Sequence, residues 1–299
     1  GNYESKIKIL AENAVKFEVK LLIKVLPINL VKPDISVGIS SAGDFEPPKD
    51  MLLEKQWIDR REHGMNTAGI QLRVGDIESV KKIMEEQFAL FKKVGFTGEY
   101  GVFACQNSIC FWDDKKFWFT YYPFSKELDE KYIKIVETII ELAKKYNVKF
   151  SLAPADEASA HPDTIDAAKH YYSLIKKRLP QVKLDQCVGG GWAMGIAEEE
   201  IWAGILDFWW TNRYIPAKIA LVKKIPGTEI GIYNFGSGGI SDSPESNPLK
   251  DRVMYGFLTW KTGAKGVFQW VYCTGDLRNE YILKSVGILG GYVYPATPG

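Results

Sequence analysis

The sequence predicts an α/β fold, a (β/α)₈ TIM barrel preceded by a short β segment. Two observations carry this. Eight short apolar runs alternate with longer stretches of helical period, which is the rhythm of βα units around a parallel sheet. The 299 residues also suit one barrel, which uses about 250 as a single unit. A doubly wound open sheet is the alternative. The expected division is 1–34 as an N-terminal β segment and linker, and 35–299 as the barrel.

Phe17 to Leu30 partly alternates apolar and polar residues before Pro33-Asp34. It reads as one or two strands of an antiparallel element, and the tail of an upstream sandwich is one expectation for it. From Ile35 the rhythm changes. The expected strands are Ile35–Ser41, Thr67–Val74, Glu99–Cys105, Lys149–Ala153, Lys183–Val188, Asp207–Thr211, Glu229–Phe235 and Gly266–Tyr272. Helices are expected between them. Asp76–Lys93 opens with acids and closes with lysines before Gly95, as the helix dipole favours. Leu128–Tyr146 and Pro162–Leu179 share the periodicity, and Pro162 suits a first helical position.

Composition narrows the function. Hydrophobic residues are 46% and charged residues 25%, ordinary for a globular protein and unlike a disordered chain. The net charge is +1, so no large field is available to hold nucleic acid or an anionic membrane. No apolar run reaches the roughly 18 residues of a membrane span. Gly1-Asn2-Tyr3-Glu4-Ser5 has no signal-peptide character, and the compartment stays open. Cys105, Cys110, Cys187 and Cys273 lack zinc-site spacing and read as buried thiols. Nothing calls for a cofactor or a metal. The aromatic content is high at 13%, which serves either a large core or a ligand with flat apolar faces, such as a sugar.

Barrel chemistry sits at the C-terminal ends of the strands. The sharpest feature there is Pro154-Ala155-Asp156-Glu157, followed by the small residues Ala158, Ser159 and Ala160. Both carboxyls can face one pocket only where the strand has ended and the backbone turns. Two close carboxylates cannot both ionise cheaply. One then protonates a leaving oxygen while the other stabilises positive charge, the division of labour in glycoside cleavage. The alternative is an acidic loop or helix N-terminal charges.

Gln106–Pro123 holds Phe111, Trp112, Phe117, Trp118, Phe119, Tyr121 and Tyr122. It could form a sugar platform, a self-packed lid or an oligomer interface. Gly236-Ser237-Gly238-Gly239 lacks a following Lys or Arg, so a connection is favoured over a phosphate cradle. Gly189-Gly190-Gly191 reads the same way. Among the histidines, His170 reads as solvated and His161 as a helix-entry residue. His63 is either a helix terminus capped by Gly64 or a partner for a sugar hydroxyl.

The order of these motifs resembles glycoside hydrolase family 123, the β-N-acetylgalactosaminidases. The resemblance runs through Glu62-His63-Gly64-Met65-Asn66-Thr67, Pro154-Ala155-Asp156-Glu157, Glu229 to Asn234, Gly263 to Tyr272 and Gly290-Gly291-Tyr292-Val293-Tyr294-Pro295. It implies a retaining, substrate-assisted hydrolase of terminal β-linked N-acetylhexosamine, with the 2-acetamido oxygen as nucleophile. Glu157 would be the acid and then the base, and Asp156 would orient the acetamido group. His63, Trp112, Asn212, Arg213, Tyr233, Asn234 and Trp270 are the expected substrate contacts, and the partner is a glycan or glycoconjugate. A catalytically idle carbohydrate-binding barrel, a phosphate-binding barrel and a glycosidase of other sugar specificity are the competing readings.

Overall fold

The computed structural model describes residues 2–11, 14–25, 34–39, 52–72, 76–104, 125–156, 158–160, 165–188, 195–211, 214–233 and 252–269. The chain divides into two units, Gly1–Lys32 and Pro33–Gly299.

The first unit is an antiparallel hairpin of β1 (Asn2–Ala11) and β2 (Ala14–Lys24). The sequence reading had located only the second arm. The first also alternates, and Tyr3, Ile7 and Ile9 pair across the ladder with Ile23, Val19 and Phe17. Period-two geometry puts these side chains on one face. Glu4, Lys6, Glu18 and Lys20 share the other, joined by Lys6–Glu18 at 2.9 Å and Lys20–Glu4 at 3.0 Å.

The second unit is an eight-stranded sheet. Its strands are β3 (Ser36–Ile39), β4 (Gly69–Gln71), β5 (Tyr100–Phe103), β6 (Phe150–Ala153), β7 (Lys183–Val188), β8 (Phe208–Thr211), β9 (Glu229–Tyr233) and β10 (Gly266–Gln269). Every pairing is parallel, and the order runs β3-β10-β9-β8-β7-β6-β5-β4. A parallel bridge from Gly38 to Thr67 brings the two end strands together. All eight expected strands are present, and the fold is the predicted (β/α)₈ barrel.

Helices α1 (Leu52–Glu62), α2 (Ile77–Val94), α3 (Lys126–Tyr146), α4 (Ile165–Arg178), α5 (Glu198–Trp202), α6 (Pro216–Val222) and α7 (Thr259–Thr262) alternate with the strands. Their ends follow local chemistry. Asp76 caps α2 by accepting from the Ser79 N–H at 2.7 Å, and Ser125 caps α3 by accepting from the Leu128 N–H at 3.2 Å. Gly95 closes α2 at φ 85°, a conformation glycine takes without strain.

The main core lies between sheet and helices. Trp57 from α1 is fully buried against Phe91, Phe96 and Tyr100. Inside the sheet the filling is unusual for a barrel, where branched aliphatics normally dominate. Phe208, Trp210 and Phe268 lie there as flat rings. Phe208 and Trp210 stand 4.6 Å apart between ring centroids, and Trp210 and Phe268 6.0 Å apart. Glycines make room for them. A Cβ at Gly231 would stand 2.3 Å from Trp210, and one at Gly38 would stand 2.7 Å from Phe268.

Candidate functional site

Since all eight strands are parallel, their C-terminal residues share one end of the sheet. Ala153 closes β6, and Pro154, Ala155 and Asp156 follow directly. Pro154 and Ala155 are buried, whereas Asp156 is half-exposed. The backbone around it is held from both sides. On the strand side the Tyr172 hydroxyl of α4 reaches the Ala155 carbonyl at 3.2 Å and the Asp185 carbonyl at 2.7 Å. Beyond residue 157 the chain forms a 3₁₀ turn, Ala158–Ala160. There the Trp202 indole N–H donates to the Ser159 hydroxyl at 3.0 Å. Tyr172 and Trp202 meet edge to face, 5.4 Å between centroids.

Ala158 and Ser159 are buried, which gives the small residues after the acid pair a packing reason. The 3₁₀ turn Ala158–Ala160 is therefore tied to the core rather than draped over it.

Tyr233 closes β9 at the same end of the sheet as Asp156 and lines the interior cavity. His63 sits elsewhere. It follows α1 and precedes β4, so it lies toward the N-terminal ends of the strands. Its ring Nδ1 stands 2.8 Å from the Asp59 carbonyl of its own helix. The structure supports the helix-terminus alternative for this residue and does not bring it to Asp156. Glu157, Trp112, Asn212, Arg213, Asn234 and Trp270 lie outside the described residues, as do Gln106–Pro123, Gly189–Gly191, Gly236–Gly239 and His161.

His170, expected to be solvated, is half-buried. Its Nε2 meets Asp129 of α3 at 2.9 Å, and its ring stands edge-on to Tyr171. Cys187 is buried. Among the described residues no group of three or more His, Cys, Asp or Glu could hold a metal ion, and no helix is long and apolar enough to cross a membrane.

Sequence reasoning missed Asp185. It lies in mid-β7, is 2% exposed and lines the interior cavity with Ser151, Trp210 and Cys187. Burial pushes its carboxyl up to about 7, reinforced by Glu99; the Ser151 hydroxyl, Lys183 and Trp210 pull the other way. The signal was available in the period-two run Lys183, Asp185, Cys187. A polar residue on each inward position is out of place in a strand buried on both faces.

At the N-terminal end, the Lys183 ammonium bridges Glu229 at 2.7 Å and Glu99 at 3.1 Å. Burial alone would lower its pKa, but the two carboxylates outweigh that and raise it. Lys183 also stands 4.6 Å above the Phe208 ring.

No protein-family model matches the sequence, and no curated protein matches it. Solved structures do. One is a fungal β-1,4-galactanase, 10% identical, with TM-score 0.55, covering 87% of this chain and 95% of that one. A psychrophilic glycoside hydrolase family 10 endo-β-1,4-xylanase is 13% identical, with TM-score 0.50, covering 84% and 90%. A mutant of P. fluorescens subsp. cellulosa xylanase A, in complex with xylopentaose, is 10% identical, with TM-score 0.51, covering 83% and 90%. At such identities the likeness establishes the shared barrel fold.

Proposed function

We propose that this chain is a glycoside hydrolase that releases terminal β-linked N-acetylhexosamine, with N-acetylgalactosamine as the preferred sugar. One observation carries the reading: Asp156 stands at the C-terminal end of β6, on a backbone pinned by Tyr172 before it and by Trp202 after it. That is the end of a barrel where chemistry is done, and rigid support is what a reacting carboxyl needs. The barrel shared with a galactanase and two xylanases, enzymes of polysaccharide chemistry by name, supports the same reading.

In this mechanism Glu157 protonates the glycosidic oxygen as the bond to the anomeric carbon breaks. The substrate's acetamido oxygen attacks that carbon from the opposite side and forms a cyclic oxazolinium ion. Asp156 accepts a hydrogen bond from the acetamido N–H and stabilises the developing positive charge. Glu157, now ionised, then takes a proton from water as the water opens the ring, so the anomeric configuration is retained. This belongs to the substrate-assisted exceptions to the two-carboxylate scheme. Tyr233, Asn234, Asn212 and Arg213 contact the sugar's polar groups, and Trp112 and Trp270 cover its apolar face.

The test is turnover of a nitrophenyl N-acetyl-β-galactosaminide and of a natural glycoside. Glu157→Gln should lower kcat about 10²–10⁴-fold on the natural glycoside, whose leaving group needs protonation, and much less on the nitrophenyl substrate. Full activity of Glu157→Gln would remove that residue from the mechanism. Binding of the sugar without any turnover would make the barrel a carbohydrate-binding module.

A further inference from the structure

The barrel interior contains a space faced by Asp185, a carboxyl that the proposed hydrolase chemistry does not use. Two positions facing it carry little or nothing: Gly101 has no side chain, and Ser151 is small. The Asp185 carboxyl faces the same space from the strand next to Ser151. Its Oδ1 is buried without a hydrogen-bond partner among the described residues. Leaving such an oxygen unmet costs its full desolvation penalty, which a polar guest in the space would offset.

The cavity measures about 40 Å³. A single water needs roughly 10–15 Å³ and two to four polar partners. The hydroxyls of Ser36, Thr67 and Ser151 line the space together with Asp185; the Thr67 hydroxyl already donates to the Glu99 carbonyl and the Ser36 oxygen accepts from the Glu99 N–H, which leaves the Ser36 proton, the Ser151 hydroxyl and Asp185 to meet a water. A sugar ring does not fit, and Lys183 at the edge of the cavity disfavours a second cation.

The cavity also leads outward. Its lining includes Lys183, Glu99 and Lys265, all at the N-terminal ends of their strands. The Lys183 and Glu99 side chains keep 27% and 24% of their surface exposed. Water in that space would join Asp185 to solvent at the N-terminal ends of the strands.

We infer that the barrel interior is a proton-binding site, in which Asp185 takes up and releases a proton through water held in this cavity. The titratable groups around it are Lys183 and Cys187 on β7, Glu99 ahead of β5, Tyr233 on β9 and Lys265 ahead of β10, which line the cavity, and Glu229 on β9, which pairs with Lys183. Glu99 opposes ionisation of Asp185, and Lys183 favours it. Two carboxylates already share Lys183, so only part of that cation's influence reaches Asp185. Burial then dominates, and the carboxyl holds its proton up to about pH 7. The unfolded chain releases it near 3.8. This group therefore favours the folded state below about pH 4, and that contribution is lost as pH rises through about 7.

The experiment is infrared difference spectroscopy of the wild type and Asp185→Asn across about pH 5–9, with transfer into heavy water. The wild type should show a protonated-carboxyl band that the variant lacks. The band should bleach with a midpoint near 7 and take up deuterium within seconds of transfer. Denaturant unfolding should show the wild-type folding constant falling relative to that of Asp185→Asn, about tenfold per pH unit and about a thousandfold in all between the two pKa values. An ionised Asp185 at pH 5, or a band exchanging only at the rate of global unfolding, overturns the inference. If Asp185→Asn fails to fold, Glu99→Gln provides the second reading. It removes a repelling charge and frees Lys183, so the midpoint must drop, and an unmoved midpoint overturns the inference equally. No step of this test requires hydrolase activity.

Discussion

Gly231→Ala tests the account of how the barrel is filled. The added methyl would stand 2.3 Å from the Trp210 ring and 2.5 Å from Phe208, where about 3.4 Å is ordinary. Trp210 would have to retreat by about an ångström, but it also lies across Gly266, whose own Cβ would meet it at 2.6 Å. The ring has no free direction along the sheet. Overpacking of this kind costs about 1–3 kcal/mol, and two blocked sides put Gly231→Ala near the upper end. Loss of glycine's freedom in the unfolded chain returns about 0.4–1 kcal/mol, for a net loss of about 2 kcal/mol. At about 2–4 °C per kcal/mol, the Tm should fall by roughly 4–8 °C. Gly256→Ala is the control, since nothing lies within 4 Å of a Cβ there, and it should leave Tm unchanged or slightly raised. Trp210→Phe should be destabilising alone and should absorb part of the Gly231→Ala cost in the double variant. The reasoning fails if urea unfolding shows the two alanine variants equally stable, or if the Gly231→Ala and Trp210→Phe effects simply add.

The remaining expectations concern the turn and the helices. Asp156→Asn should reduce turnover for every leaving group, and the natural and nitrophenyl substrates should lose activity to the same degree; a loss confined to one would place Asp156 outside acetamido recognition. Tyr172→Phe leaves the buried Ala155 and Asp185 carbonyls without their donor, which should cost about 1–3 kcal/mol by denaturant unfolding. It should also lower kcat about tenfold or more, because the turn bearing the acids loses its support. Ser125→Ala removes the α3 cap and should cost about 1 kcal/mol, with Ser125→Asp retaining most of the stability.

Much of this fold was legible because parallel strands are buried on both faces and most read as short apolar runs. Lys183–Val188, despite its polar inward residues, has the same bounds in sequence and structure. The Asp76 start of α2 was equally clear, since capping is a local event. The first hairpin arm was not read, although Tyr3, Ile7 and Ile9 alternate as plainly as the second arm does. The inward glycines were silent for a different reason. A glycine within a strand signals a bulge, a bend or a close approach alike, and only the rings opposite decide between them. Asp185 was silent because it lies mid-strand, away from the strand ends where chemistry is usual, and its importance comes from depth. At the site itself, the sequence pointed to Asp156 but not to Tyr172 and Trp202, which hold its turn from helices contributed later in the chain.

The ring-and-glycine lining also makes the inner wall unequal in what changes it will accept. Phe208, Trp210 and Phe268 can be trimmed, each trim leaving a void whose cost grows with its size. Gly38, Gly231 and Gly266 can be enlarged only at a cost in stability while the rings beside them keep their size. Variation along this wall is therefore cheaper in one order: the large residue yields first, and the small one grows afterwards.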